Sequence, residues 1–300
     1  MFSFLTLNMM HKIVAKRVLI IAFLTYFLFV TGYAESAEKH ITIAILPCFD
    51  VVMTFKKFHP LITHIKQQTG FDVELVVPQD YAKIESFIKK GEVDFVFLDP
   101  HTYVRLAKLF NKKALIRTLT REGGTSQYGL IIARKGSGIN KIDDLRGKTV
   151  MFGPELSAVK WIAAKETLKE NGINIDKDLR AYLNGGCCED IAFNVYLKAV
   201  DAGVVCYHFL DEHSEKQEEL GIDSEQIIII GRTKSVPTRI FAARKEVNTE
   251  IVTRVNKALL TLNKNNPEHA KILYRAELGG FQKSKDEDYD GIRILMGVKW

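Results

Sequence analysis

The chain has 300 residues, of which 47% are hydrophobic and 26% are charged, and its formal net charge is +6 at pH 7. That surplus of positive charge is too small to indicate a nucleic-acid-binding protein, and four cysteines are too few for a disulfide-stapled scaffold. A hydrophobic core must therefore hold the fold together, and the length suits two lobes better than one compact core.

The first 34 residues have the composition of a secretory signal peptide. Lys12, Lys16 and Arg17 are followed by the uncharged run "VLIIAFLTYFLFV" and then by the small-residue exit "TGYA". The apolar run is shorter than the roughly 20 residues of a membrane-spanning helix. We therefore expect a soluble protein exported to the periplasm, and an uncleaved anchor is the alternative. Without these three basic residues the net charge is +3, because 39 basic residues then face 36 acidic ones.

Strands and helices alternate in the part of the chain that follows. Ile41, Ile43 and Ile45 alternate along a buried strand, and apolar residues at helical spacing follow in "FKKFHPLITHIKQQTG". Two more strand–helix pairs come next, "FDVELVVPQD" with "YAKIESFIKKG" and the nearly all-apolar "VDFVFLDP" with "TYVRLAKLF". Such alternation predicts a parallel sheet built from βαβ units.

A second set of alternating elements predicts a second lobe. Its strands lie in "QYGLIIARKGS", "KTVMFG", "LRAYLNGG", "VDAGVVC" and "EQIIIIGRT", and its helices lie in "SAVKWIAAKETLKENG" and "EDIAFNVYLKA". "TRIFAAR" is a further strand, and the tail from about Thr249 is expected to form two or three helices. The expected fold class is α/β with two lobes, each a mostly parallel sheet flanked by helices. The expected boundaries are a signal peptide at 1–34, the first part of lobe 1 at 35–133, lobe 2 at 134–236, and a return strand with the C-terminal helices of lobe 1 at 237–300.

Four segments carry a resemblance to a known family. They are "PLITHIKQQTGFDVELVVPQDYAKI", "GEVDFVFLDPHTYV", "SQYGLIIARKGSGINKIDDLRGKTVMFG" and "AVDAGVV". As a set they resemble the phosphate-, phosphite- and phosphonate-type periplasmic binding proteins of ABC transporters, over roughly residues 41–265. The resemblance implies a type II periplasmic binding protein, with two α/β lobes joined by two hinge strands. A small ligand would bind in the cleft and the lobes would close by a hinge motion.

Polar residues concentrate where the predicted strands end, and ligands of open parallel sheets bind at that edge. A helix begins after "GPEL", and its free N–H groups suit an oxyanion. Tyr81, Tyr103, Tyr128 and Ser157 supply hydroxyl donors near the edge. In the resemblance, Tyr81 matches a ligand-binding tyrosine, Tyr128 matches the tyrosine that opens a crossover strand, and Ser157 matches the last hydroxyl of a Ser-Thr-Ser-Gly helix start. That start is "ELSA" in this chain, so two hydroxyls and the glycine are missing.

Four other polar or charged residues have a candidate role at the cleft. Asp99 either accepts a hydrogen bond from a ligand hydroxyl or caps the next helix. His101 either lines the cleft or lies behind it or at the surface. Lys160 is expected on a solvated helix face, although it follows the predicted anion-binding loop. Arg239 is a candidate source of positive charge on the return strand.

All four cysteines follow the carboxyl ends of predicted strands. Cys187 and Cys188 lie in the loop "NGGCCED", where the resemblance places a histidine nearest to Cys188, and Cys206 and Cys48 end strands. Three interpretations remain open. The thiols are buried and inert, or Cys206 forms a disulfide with Cys187 or Cys188, or the sulfurs bind a soft ion such as an arsenic species.

The expected function is capture of a small oxyanion of the phosphate, phosphite or phosphonate class, for uptake by an ABC transporter. The alternative is a periplasmic sensory protein that binds an arsenic or related oxyanion through cleft cysteines and signals to a membrane histidine kinase. The sequence has neither an H-E-x-x-H zinc motif nor a phosphate-binding P-loop. We therefore expect no cofactor, no metal and no catalytic activity, and a monomer whose partner is a permease or a sensor kinase. An exported enzyme on this fold is a further alternative.

Overall fold

The computed structural model describes residues 39–46, 51–209 and 221–298. The predicted signal peptide and Cys48 lie outside the described residues. Within the described part of the chain, no helix combines the length and the apolar character that crossing a membrane requires.

The described residues form thirteen strands and nine α-helices. In chain order the strands are β1 (His40–Ile45), β2 (Asp72–Val76), β3 (Phe95–Leu98), β4 (Leu115–Leu119), β5 (Ser126–Gln127), β6 (Gly129–Arg134), β7 (Thr149–Phe152), β8 (Ala181–Asn184), β9 (Ala202–Cys206), β10 (Ile227–Arg232), β11 (Val236–Pro237), β12 (Ile240–Ala243) and β13 (Gly280–Ser284). The helices are α1 (Val51–Thr69), α2 (Tyr81–Lys90), α3 (Pro100–Leu106), α4 (Ala164–Glu170), α5 (Ile175–Asp178), α6 (Cys188–Tyr196), α7 (Thr249–Leu260), α8 (Pro267–Arg275) and α9 (Asp290–Leu295). A π-helical segment, Ala158–Ala163, runs directly into α4.

Two sheets contain eleven of these strands. The six-stranded sheet has the order β13–β4–β12–β3–β1–β2, and the five-stranded sheet has the order β10–β6–β9–β7–β8. The βαβ units give parallel pairs, β1 with β2 and β3 in one sheet and β7 with β8 and β9 in the other. Strands β6 and β12 each enter a sheet directly after a crossover, and both pair antiparallel with their neighbours. The predicted α/β fold with two sheets is confirmed, but each sheet is mixed and not mostly parallel as expected, because β6, β12 and the edge strands pair antiparallel.

Two short strands connect the halves of the fold. β5 pairs antiparallel with β11, with Gln127 opposite Val236 and Ser126 opposite Pro237. β6 starts two residues after β5 and already belongs to the five-stranded sheet. The chain therefore passes from the six-stranded sheet to the five-stranded sheet before β6 begins, whereas the boundary expected from the sequence lies at the end of β6. The chain returns to the six-stranded sheet beside Pro237.

Helix α1 covers one face of the six-stranded sheet because its apolar residues recur at helical spacing. Phe58, Ile62 and Ile65 pack with Ile41 and Ile43 of β1 in one buried cluster. Burying each such side chain contributes about 1.5–3 kcal/mol. This packing holds the six-stranded sheet in place, and residues that follow its strands form half of the site described below.

Strands β4 and β13, which pair with each other, were not predicted from the sequence. The β13 segment "GFQKS" has a single large apolar residue, Phe281, and no alternating pattern, so its strand conformation comes from tertiary pairing. The C-terminal part therefore contains three helices, as expected, and an additional edge strand.

Gly279 leads into β13, and its N–H donates to the Leu119 carbonyl at 2.9 Å. A Cβ at this position would overlap the carbonyl oxygen of Thr120, which is backbone and has no rotamer to change. We expect Gly279→Ala to lower the free energy of unfolding by about 3 kcal/mol, measured by urea denaturation.

Gly291→Ala is the matched control, because a Cβ on that helical glycine meets open space. We expect it to raise stability by up to about 1 kcal/mol. Equal midpoints for the two variants would contradict the assigned contact between Gly279 and Thr120.

Candidate ligand-binding cleft

A cavity of about 530 Å³ is lined by residues that follow strands of both sheets. Its lining matches the edge at which open α/β sheets bind ligands. The polar and thiol side chains of the lining are Gln79, Asp80, Tyr81, Asp99, Gln127, Ser157, Lys160, Cys187, Cys188, Glu189, Asp190, Cys206, His208, Arg239 and Glu277.

Six of the nine residues proposed from the sequence line this cavity, and three do not. Those that line it are Tyr81, Asp99, Ser157, Cys187, Cys188 and Cys206. The structure places the remaining three, His101, Tyr103 and Tyr128, elsewhere.

Tyr103 faces away from the cavity, which corrects its expected placement. Its side chain is fully buried between Phe110 and Tyr289, and its hydroxyl donates to Asp286 Oδ1 at 2.6 Å. Burial and this carboxylate raise the pKa of Tyr103 well above its usual value. The hydroxyl therefore anchors the segment before α9 instead of facing a ligand.

His101 and Tyr128 also lie outside the cavity. The buried His101 ring lines a separate groove with Trp161 and Met296, and burial lowers its pKa. The Tyr128 ring lies under the Arg232 guanidinium, 3.4 Å from ring centroid to Cζ, and packs against Tyr207. Tyr128 thus packs beside the crossover, and its neighbour Gln127 lines the cavity instead.

Asp99 connects the two halves of the fold through one carboxylate oxygen. Its Oδ1 accepts the His101 N–H at 2.9 Å, as the N-cap of α3, and the Ala158 N–H at 3.0 Å, from the π-helical segment that follows β7. The cap predicted for Asp99 is confirmed. The second bond means that an N–H expected to face an anion is already taken by a carboxylate of the protein.

Burial of Asp99 raises its pKa to about 6 from an ordinary value of 3.8, although both N–H donors and the positive charges of Arg239 and Lys160 oppose the rise. The carboxyl is 8% exposed, so loss of hydration dominates. Asp99 thus titrates near neutral pH at the edge of the cavity.

Two of the candidate hydroxyl donors, those of Tyr81 and Ser157, lie at the starts of helical segments. Asp80 caps α2 by accepting the Lys83 N–H at 2.7 Å, which fixes Tyr81 as the first helical residue at the cavity. Ser157 Oγ caps the π-helical segment by accepting the Lys160 N–H at 3.1 Å. A hydroxyl that accepts in this way retains its own donor, so the Ser157 O–H remains suited to an oxyanion.

Lys160 is buried, whereas a solvated helix face was expected for it from the sequence. It is only 8% exposed, it lines the cavity, and its Nζ donates to the Gly186 carbonyl at 2.7 Å. Gly153 makes room for it, because a Cβ there would come within 2.6 Å of the Lys160 Cβ. The signal in the sequence was weak: Lys160 stands between the apolar residues Val159 and Trp161 at the start of a helical segment.

Several acidic residues of the lining are engaged by the protein itself. Asp190 Oδ2 accepts the Gly186 N–H at 3.0 Å, and Glu277 forms an ion pair with Lys57. Lys160 and Arg239 contribute positive charge at the same cavity. The arrangement therefore combines cationic groups and hydroxyl donors, which suits a small anion.

The three described cysteines are thiols in this structure. Cys187 caps α6, with its Sγ accepting the Asp190 N–H at 3.4 Å, and burial raises its pKa to about 11. Cys188 Sγ accepts the Cys206 N–H at 3.2 Å. Hydrogen bonding to Cys206, followed by burial, raises the pKa of Cys188. Thiols held in this protonated form are weak nucleophiles and weak metal ligands.

Asp99→Asn is expected to remove one component of the pH dependence of stability. Because the folded-state pKa of Asp99 lies above its unfolded value, the folded protein binds this proton more tightly. The resulting stabilisation is complete below pH 4 and is lost as the pH rises through 6. Between pH 4 and pH 8 the free energy of unfolding of the wild type should therefore fall by about 3 kcal/mol relative to Asp99→Asn, measured by urea denaturation across that range.

Asp80→Asn is the control for this measurement, because Asp80 is also an N-cap carboxylate but is exposed. Parallel pH profiles for the wild type and Asp99→Asn would show that the Asp99 carboxyl is not buried as described.

Comparison with known proteins places these features in a family. The family model described as "ABC transporter, phosphonate, periplasmic substrate-binding protein" matches residues 43–289. The chain is 25% identical over 284 residues to the "Phosphate-import protein PhnD" of Mycolicibacterium smegmatis, covering 88% of this chain and 87% of that protein. It is 26% identical over 234 residues to the "Tetrathionate sensor histidine kinase TtrS" of Salmonella typhimurium, covering 72% of this chain but 38% of that protein.

Solved structures share the fold. The binding-protein component of an ABC phosphonate transporter from Pseudomonas aeruginosa superposes with a TM-score of 0.75 at 20% identity, covering 86% of each chain. PhnD1 from Prochlorococcus marinus, solved in complex with methylphosphonate, gives a TM-score of 0.76 at 14% identity, covering 86% of this chain and 97% of that one. The type II binding-protein fold and the family resemblance are thus confirmed: the chain belongs to the periplasmic substrate-binding proteins of phosphonate ABC transporters.

Proposed function

We propose that the protein captures a small phosphorus oxyanion in the cavity and delivers it to a membrane permease of an ABC transporter. The observation that carries the proposal is a cavity that both halves of the fold line and at which Lys160 and Arg239 place positive charge. Its volume of about 530 Å³ lies within the range of small-molecule sites. The names of the relatives support a ligand of the phosphate or phosphonate class.

Each half of the cavity has a distinct role in this proposal. Tyr81 donates from the start of α2, and Ser157 and Lys160 donate from the π-helical segment. Arg239 follows the return crossover and adds charge from the side of the six-stranded sheet. Asp99 accepts a hydrogen bond from a protonated ligand oxygen, since its Oδ2 has no protein donor among the described residues.

In this proposal the chain passes between the two lobes at the paired strands β5 and β11. One lobe contains the six-stranded sheet and the other contains the five-stranded sheet. Two crossover strands permit a hinge rotation with few changes of backbone angle. A ligand that contacts both lobes would then bind the closed state more tightly than the open state, and this difference in affinity would favour closure. The predicted signal peptide at 1–34 directs the chain to the periplasm, where the family acts.

A second candidate is a sensory role, in which the protein binds an arsenic or related oxyanion and reports to a histidine kinase. Two observations favour it: Cys187, Cys188 and Cys206 line the cavity, and a histidine kinase is among the relatives. The raised pKa values of Cys187 and Cys188 weigh against thiolate ligands. Binding of arsenite that is abolished by thiol alkylation, with no binding of phosphonates, would favour this role.

Lys160→Met should weaken anion binding while the fold is retained. Losing a hydrogen bond from a charged donor costs about 1.5–3 kcal/mol, so we expect the dissociation constant for methylphosphonate, phosphite or phosphate to rise about 10- to 100-fold. Isothermal titration calorimetry of the purified protein against these anions, with sulfate for comparison, measures the effect.

Lys165→Met is the matched control. Lys165 lies over the Trp161 ring and lines the separate groove that His101 also lines, so its removal should leave the affinity unchanged. Failure of every phosphorus oxyanion to bind the wild-type protein would contradict the proposed function, and equal affinities of the two variants would contradict the role of Lys160.

A further inference from the structure

Two cysteines from different elements meet at the wall of the cavity. Cys188 is the first residue of α6 and Cys206 is the last residue of β9. The Cys188 Sγ lies 3.2 Å from the Cys206 backbone nitrogen, and the Cys206 side chain is the largest cause of the raised pKa of Cys188. The two side chains therefore lie close together in the reduced protein.

The surrounding packing holds this pair in place. Gly203 of β9 lets α6 approach closely, because a Cβ there would lie 2.5 Å from the Ile191 Cγ2. At the other end, Asp190 of α6 fixes the preceding loop through the Gly186 N–H. Helix α6 and strand β9 are thus held close together, and close approach of the two chains is what a disulfide between them requires.

Cys187 is a poor alternative partner. Its Sγ is directed to the Asp190 N–H as the cap of α6, and its sequence neighbour Cys188 is unsuited to pairing with it because a disulfide between adjacent residues is strained. The two adjacent cysteines therefore have different roles, one as a helix cap and the other as half of a cross-link.

We propose that Cys188 and Cys206 are a redox site that closes to a disulfide by exchange with a disulfide-class oxidant, either a small dialkyl disulfide or a protein disulfide. One cysteine thiolate attacks a sulfur of the oxidant and releases one thiolate from it. The second cysteine thiolate then attacks the resulting mixed disulfide, forms the Sγ–Sγ bond and releases the other half of the oxidant as a thiolate. The protein loses two protons and two electrons, and the oxidant is reduced to two thiols.

Both sulfurs line the cavity, so a small disulfide has a route to them. Hydrogen bonding to Cys206, followed by burial, raises the pKa of Cys188, which makes the exchange at this sulfur slow, and the positive charge of Lys160 partly offsets this. The disulfide would join the first turn of α6 to β9. It would thereby immobilise the preceding loop, in which the Gly186 carbonyl accepts a hydrogen bond from the Lys160 Nζ. The oxidation state of the pair would thereby set the rigidity of one cavity wall, whatever ligand the cavity takes.

Peptide mapping of the full chain tests the proposal without any ligand. Purified protein is incubated with oxidised or reduced glutathione, alkylated, digested and analysed by mass spectrometry. We expect a cross-link between the fragments carrying residues 187–188 and 206 after oxidation, and its loss after reduction. The cross-link should persist in Cys187→Ser and disappear in Cys188→Ser and in Cys206→Ser.

Thermal unfolding gives a second readout, since a cross-link restricts the unfolded chain. The oxidised wild type and oxidised Cys187→Ser should unfold at temperatures several degrees above their reduced forms, whereas Cys188→Ser should show no such difference. Full alkylation of Cys188 and Cys206 after oxidation, or a cross-link to Cys187 or Cys48 instead, would overturn the assignment. Neither outcome depends on anion binding, so it is separate from the test of the proposed function.

Discussion

One carboxylate oxygen organises the centre of this molecule. Asp99 Oδ1 accepts the N–H that opens α3 and the N–H of Ala158 on the other side of the cavity. Each bond satisfies a backbone donor that a helical start would otherwise leave unpaired. The buried carboxylate is less well solvated than it would be in water, and this loss of hydration raises its pKa. The two N–H groups bind the charged carboxylate more strongly than the neutral acid, but the loss of hydration outweighs this gain, so the fold is more stable when Asp99 is protonated.

This contact changes how an anion is expected to bind. At many helix starts the free N–H groups themselves receive the anion, but here one of them is occupied by Asp99. Positive charge must then come from side chains, and Lys160 and Arg239 supply it at the cavity. The same two charges lower the pKa of Asp99, although burial has the larger effect. The protonation of Asp99 is thus coupled to Lys160 and Arg239, and an anion bound beside these groups would change it.

The sequence predicted the layered fold and much of the cavity, because periodicity and strand ends are local features. Alternating isoleucines and helical spacing located β1 and α1. The ends of strands located Tyr81, Ser157 and the three described cysteines at the cavity. The sequence did not reveal β13, whose polar segment becomes a strand only by pairing with β4. It also misplaced Tyr103, since the direction of a helical side chain depends on which face of α3 packs against Phe110 and Tyr289. Lys160 was undervalued for the same reason: its burial depends on Gly153, a residue of the preceding loop.

A crystal structure of the complex with methylphosphonate at neutral pH is the most direct test of anion binding in this cavity. We expect the phosphonate group inside the cavity, with its oxygens within hydrogen-bond distance of the Lys160 Nζ and of at least one of Tyr81, Ser157 and Arg239. We also expect Asp99 to keep the Ala158 N–H while the ligand is bound. A phosphonate bound outside the cavity, or seated on the Ala158 N–H with Asp99 displaced, would contradict the proposed mode of binding.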